Sequence, residues 1–254
     1  VSLTGLTIVV TRPRDSAEAT ARALVAAGAS AIALPLLEIS AVEAAPSGLA
    51  AVPDAIIFVS SHAAEFGVPA LSRQRLIANV GAAQSIYAVG RATAKRLAGL
   101  GLSNVHTPSL GEDSEALLAE PAFSAPTGKT VLIVKGDSEG GGRQLIAETL
   151  VARGATVADF ICYRRQPVAL GVAEASQLRA AVVAGAWVLV GSIETLESLQ
   201  NALAASQLVM ADVAKLLVPH PRVADAARAA GARQVSVVSL EDNKLVESLS
   251  NMSA

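Results

Sequence analysis

Several hydroxyls and cations stand where apolar runs end. Ser60, Ser61 and His62 follow one such run, Ser192 follows a second, and Tyr163 lies in a third. Arg12 and Arg14 flank Pro13 at the end of a fourth. A hydroxyl or phenol can donate a hydrogen bond or a proton to a leaving group. An arginine can pair with a carboxylate through two parallel hydrogen bonds, although for Arg14 a solvated loop charge is the simpler reading. Residues 134–145, VKGDSEGGGRQL, set Gly141, Gly142 and Arg143 between an apolar run and a helical pattern. Strand, glycine-rich loop and helix is an arrangement that holds anions on free backbone N–H groups. Yet the loop ends in Gly-Arg-Gln instead of Gly-Lys-Ser/Thr, and its glycine triplet lacks the G-x-G-x-x-G spacing. It suits an anion but neither nucleotide pattern. His62, His106 and His220 stand far apart without ligand spacing, which argues against a metal site. Cys162, in an apolar strand, reads as a small core residue. No G-x-S-x-G elbow is present for an α/β-hydrolase.

The elements that must position these residues follow from composition and pattern. The chain has 254 residues, 52% hydrophobic and 17% charged, which excludes disorder. Aromatics make up only 3%, so the core must be Ala, Leu, Val and Ile. The net charge of -2 provides no global attraction for nucleic acid or an anionic membrane. A single cysteine gives no disulfide framework, and a cytoplasmic location is the expectation. The longest apolar run, 23–37, is interrupted and too short for a bilayer. No basic-then-apolar signal segment opens the chain.

Strand-like and helix-like segments alternate, which predicts an α/β fold with parallel sheets. They do so twice. Thr7-Ile8-Val9-Val10 precedes a helix expected to start near Asp15, with Glu18 as its capping-box partner, and to stop at Gly28. From Thr130 the same pattern recurs, with Leu150-Val151 and Gly154 standing where Leu24-Val25 and Gly28 stood. AIIFVSSHAAEF (55–66) matches AWVLVGSIETLE (186–197), and YAVGRATAKRLAGLG (87–101) matches LVPHPRVADAARAAG (217–231). Three matches in one order point to an internal duplication yielding two flavodoxin-like sheets. The division lies near residue 125, or else the extended exits LLEIS and CYRRQPV are paired linkers; the pattern leaves both open.

VTRPR (10–14), PLLEI (35–39), FVSSHA (58–63), AVGRATA (88–94), GGRQLIAETLVARGA (141–155), CYRR (162–165) and AARAAG (226–231) occur in an order and spacing that resemble the uroporphyrinogen-III synthase family, in its bacterial form. The resemblance covers nearly the whole chain. It implies two lobes joined by a two-stranded linker: 1–37 plus 168–254 as lobe one, 42–162 as lobe two, and linkers at about 38–41 and 163–167. The implied reaction closes the linear tetrapyrrole hydroxymethylbilane to uroporphyrinogen III, with loss of water and inversion of ring D through a spiro intermediate, in haem biosynthesis. No metal or cofactor is implied. The implied protein is a monomer whose partners are the substrate and, in passing, hydroxymethylbilane synthase.

The resemblance makes Tyr163 the residue that helps the hydroxyl leave. It sets Arg12, Ser60, Ser61, His62, Gly90, Arg91, Thr93, Gly141, Gly142, Arg143, Ser192, Lys215, Pro221 and Arg222 about the substrate's acetate and propionate groups. Carboxylates, like phosphates, are held by helix N-termini. Two departures stand out: Val59-Ser60 where the family often has Thr-Ser, and Arg222-Val223 in place of a hydroxyl pair. A two-lobed small-molecule-binding protein is the alternative from another class. A nucleotide or flavin module is disfavoured by the failed loop patterns.

Overall fold

The computed structural model describes residues 2–43, 52–77, 84–137 and 141–253, without the side chains of 141–143 and 253. In chain order the elements begin β1 (Thr7–Val10), α1 (Arg14–Ala26), β2 (Ser30–Ala33), β3 (Leu37–Ala41), β4 (Ala55–Phe58) and α2 (Ser61–Arg73). Next come β5 (Ser85–Ala88), α3 (Arg91–Gly99), β6 (Val105–His106), α4 (Ser114–Leu118), α5 (Pro121–Ser124), β7 (Thr130–Gly136) and α6 (Gly141–Ala152). The chain continues with β8 (Thr156–Pro167), α7 (Val172–Val183), β9 (Trp187–Leu189) and α8 (Ile193–Ala205). It ends with β10 (Lys215–Val218), α9 (Pro221–Ala229), β11 (Val235–Val237) and α10 (Asp242–Ser253).

These elements form two compact units, Val1–Glu38 with Gln166–Ala254, and Ile39–Arg165. In the first, the sheet order is β11-β10-β9-β1-β2, all parallel. In the second it is β3-β8-β7-β4-β5-β6, parallel from β8 to β6. β3 and β8 run antiparallel, because Val42 N–H donates to the Cys162 carbonyl while Val168 N–H donates to that of Leu36.

Parallel strands are covered on both faces, so successive residues enter different cores. In the first unit Val9, Val188, Val190 and Leu216 pack with Leu178 and Leu199. Their neighbours Ile8, Val10, Leu189 and Leu217 pack with Leu24, Leu245 and Leu249. In the second, Ile56, Phe58, Leu132 and Val134 meet Leu71 and Leu97. Ala55, Ile57, Val131 and Ile133 meet Leu117, Phe123 and Leu150. No described helix is long and apolar enough to cross a membrane.

Both expected helix stops form. Gly28 (φ +92°) and Gly154 (φ +86°) take the left-handed conformation that a side chain resists. Their N–H groups donate to Val25 and Val151, and the next amides to Leu24 and Leu150. The expected helix start is different. Pro13 is the N-cap of α1 and no side chain caps it, so the Asp15–Glu18 capping box does not form. Asp15 instead lies in the first turn, where its charge meets the positive end of the helix.

Candidate functional site

The expected site residues cluster where strands run into helices. Ser60 follows β4 and caps α2, its Oγ accepting from Ala63 N–H at 3.1 Å. Ser61 is the first residue of that helix and His62 the second. Tyr163, on β8, brings its hydroxyl to 3.2 Å from Ser60 Oγ, and its ring centroid is 5.9 Å from that of His62. The resemblance makes this phenol the group that helps a hydroxyl leave, yet it is fully buried in the core. The reason is a bulge: Lys135 pairs with Ile161 but Gly136 pairs with Tyr163, so Cys162 is an extra residue. Strict alternation would turn Tyr163 away from the face holding Phe160; the bulge keeps it there.

Electrostatics at this corner favour a neutral imidazole. Burial, and after it the charge of Arg165, lowers the pKa of His62. Burial also pushes the Cys162 thiol up to about 12, which suits a core residue and not a nucleophile.

At the next strand end, Gly90 is the N-cap of α3 and supplies no side-chain cap. Glu112 takes that place: its carboxylate accepts from the backbone N–H of Arg91 at 3.2 Å and from Arg91 Nε at 2.7 Å. The start of α3 therefore does hold a carboxylate, the chain's own. Thr93 is buried in the first turn of α3, as Val223 is in the first turn of α9. Gly141 and Gly142 open α6, whereas the Arg143 side chain lies outside the described residues, as do Ser138, Glu139 and Gly140 of the glycine loop.

In the other unit, Ser192 caps α8 through Thr195 N–H at 3.2 Å. The cap geometry makes Ser60 the residue with the role of Ser192, one place from the Ser61 that the matched stretches 55–66 and 186–197 suggested. Pro221 and Arg222 open α9 and are exposed. Arg12 is committed within its own unit: Nη1 donates to Thr20 Oγ1 at 2.8 Å and to the Leu240 carbonyl at 3.1 Å, with Asp242 at 3.8 Å. Burial lowers its pKa and Asp242 opposes this. Arg14 is exposed. Lys215 stands apart from the rest. It is the first residue of β10, so it lies at the amino end of a parallel sheet, with Nζ 4.3 Å from the centre of the Trp187 ring. Among the described residues no group of three or more His, Cys, Asp or Glu could hold a metal.

Two neighbours of these residues were not anticipated. Arg165 is two residues beyond Tyr163 on the same strand, and period-two spacing was the signal for it. Glu112 had no such signal, since it precedes Asp113, the residue that caps α4.

Parallel sheets whose carboxyl ends lead into serine- or glycine-capped helices define an α/β scaffold suited to binding an anionic small molecule. Its family is shown by comparison. The family model described as uroporphyrinogen-III synthase HemD matches residues 18–243. The uroporphyrinogen-III synthase of Escherichia coli K12 is 32% identical over 253 residues, 94% of this chain and 97% of that protein. That of Salmonella typhimurium LT2 is 36% identical over 165 residues, 63% of this chain and 65% of that protein. Among solved structures, uroporphyrinogen-III synthetase from Helicobacter pylori 26695 matches with a TM-score of 0.61 at 15% identity, covering 97% of this chain and 99% of that one. A mutant uroporphyrinogen III synthase from Thermus thermophilus matches at 0.60 and 18% identity, covering 98% of both. These two likenesses establish the α/β fold. The chain belongs to the uroporphyrinogen-III synthase family.

Proposed function

We propose that this chain acts as a uroporphyrinogen-III synthase, closing hydroxymethylbilane to uroporphyrinogen III with loss of water and inversion of ring D. The observation that carries this is the family match over 18–243 together with 32% identity to the E. coli enzyme along nearly the whole chain. The chemistry fits what the residues offer. The substrate is a polyanion, and helix N-termini with free N–H groups hold carboxylates with few basic side chains. Glu112 on the start of α3 supports this, because a carboxylate already sits well there.

The proposal extends to architecture. With the extra strand β3 set aside, the two sheets share one spatial order, and α1 and α6 end alike, which supports descent from a duplicated half. We take 1–37 plus 168–254 and 42–162 as the lobes, with 38–41 of β3 and 163–167 at the end of β8 as the paired linker. Catalysis on this reading is largely positional. Holding the ring-A end against the substituted carbon of ring D favours inversion over simple closure, and such positioning lowers a barrier by about 7–11 kcal/mol at best. The proposed carboxylate-binding positions are Ser60, Ser61, His62, Gly90, Arg91 and the start of α6 in one unit, and Ser192, Pro221 and Arg222 in the other. Arg12 and Lys215 leave this set, since their described partners are structural.

The test is the product isomer. Fresh hydroxymethylbilane is supplied, the products are oxidised, and isomer III is separated from isomer I. Isomer I forms spontaneously, so isomer III in excess of a no-protein control is the expected result. Isomer I alone would refute the function.

A further inference from the structure

Tyr163 is fully buried, so whatever it contributes must pass through a neighbour. Its hydroxyl oxygen has two partners among the described residues: Ser60 Oγ at 3.2 Å and, at a long 3.5 Å, Arg165 Nη2. The guanidinium carbon of Arg165 is 5.6 Å from the ring centroid. Backbone contacts hold this pair in place. Asp137 N–H donates to the Tyr163 carbonyl, and Arg165 N–H donates to Asp137 Oδ1. Gly136 backs the ring closely, since a Cβ there would fall 2.5 Å from Tyr163 Cε2.

The ends of this chain fix the direction of its hydrogen bonds. A guanidinium can only donate, so the phenol oxygen accepts from Arg165. The phenol has one proton, and a buried O–H without an acceptor is unfavourable, so that proton points at Ser60. Ser60 Oγ has two acceptor positions. Ala63 N–H fills one and Tyr163 the other. The serine's own proton is left to point out of the chain, from a half-buried residue at the start of α2.

We infer that Arg165 and Tyr163 are positioning residues that make Ser60 an obligate hydrogen-bond donor, and that Ser60, not Tyr163, touches the leaving hydroxyl of the bilane. The inference rests on the function proposed above. As the carbon–oxygen bond breaks, its electron pair leaves with the oxygen, which takes the Ser60 proton and departs as water. The Tyr163 proton moves to Ser60, and the phenolate faces the guanidinium of Arg165. The pyrrole nitrogen lone pair supplies the electron-poor carbon, giving the azafulvene cation. When ring closure restores aromaticity, one proton is released, and it returns through Ser60 to the phenolate.

The experiment measures initial rates of isomer III formation for wild type, S60A, Y163F, S60A/Y163F, R165M and R165K, each verified as folded by circular dichroism and melting. Single loss of either hydroxyl lowers kcat about ten- to a hundredfold, with KM nearly unchanged. The double variant is no slower than S60A, because both changes cut one chain and their effects do not add. R165M lowers kcat, and R165K, which restores a cation, recovers part of it. Additive losses in the double variant, or a normal kcat in S60A beside a slow Y163F, overturn the relay. A wild type that forms no isomer III removes the function and the relay with it; an active wild type with additive losses removes the relay alone. If R165M fails to fold, the Ser60–Tyr163 cycle still decides.

Discussion

Ser60 and Ser192 occupy nearly the same backbone conformation, with φ/ψ of -161°/165° and -160°/171°. Each caps a 13-residue helix by accepting from the amide three residues on. What stands behind the hydroxyl differs. Ser192 finds Thr195 Oγ1 at 3.0 Å, on its own helix. Ser60 finds the hydroxyl of Tyr163, 103 residues away and fully buried, with Arg165 beyond it. One cap is a local device; the other is wired through the core to a cation. A repeated turn can thus keep its structural task in both units and carry chemistry in only one.

The largest expected difference is between S60A and S192A. Ser60→Ala lowers isomer III formation about ten- to a hundredfold. Ser192→Ala costs about 1 kcal/mol of stability, as loss of a cap does, and lowers the rate less than Ser60→Ala does. Rates measured on both variants at a temperature well below melting decide this; equal losses would erase the distinction between the two caps.

Gly136→Ala comes next. Its Cβ would lie 2.5 Å from the Tyr163 ring, and overpacking of that kind destabilises by about 1–3 kcal/mol. In the other unit Gly191 has no heavy atom nearer than 3.9 Å to such a Cβ, so Gly191→Ala stays within about 0.5 kcal/mol of wild type. Urea unfolding midpoints give both numbers. An undisturbed Gly136→Ala protein would show that Tyr163 is not held against the backbone.

His62 provides a pH test, since the matching place after the other cap, the second residue of α8, holds no imidazole but Glu194. Burial and then Arg165 lower the folded-state pKa of His62. The unfolded chain therefore takes up a proton first as pH falls below about 6.5, and stability declines toward acid from there. Replacing His62 with Ile flattens that part of the profile, measured by unfolding free energy from about pH 7.5 to 5. An unchanged slope would mean that the imidazole is not desolvated.

The smallest effect belongs to Glu112. It caps α3 from 21 residues away, whereas α9 begins with the exposed Pro221 and no described carboxylate bond. Glu112→Gln costs about 0.3–1 kcal/mol in low salt, from the lost interaction with the helix end, and less in high salt. Melting temperature at two salt concentrations tests it.

Sequence alone determined the parts of this protein whose causes are local. Apolar runs named the strands, and Gly28 and Gly154 marked helix stops because only glycine enters the left-handed region freely. The family motifs survive as ordered short stretches and so were legible too. Where several residues could do one job, local signals failed. Asp15 had the chemistry of a cap, but Pro13 took the position. Matching 55–66 to 186–197 slipped by one residue, because strands buried on both faces look equally apolar in either register. Arg12 advertised a carboxylate site, yet its Nη1 donates to Thr20 and Leu240. Tyr163 shows the limit most plainly. Its face was decided by the register shift opposite Lys135 and Gly136, on a strand about 27 residues away in sequence, and by whether that backbone had room for the ring. Residue type supplies the chemistry of a phenol, but pairing between distant strands decides which neighbours its hydroxyl meets.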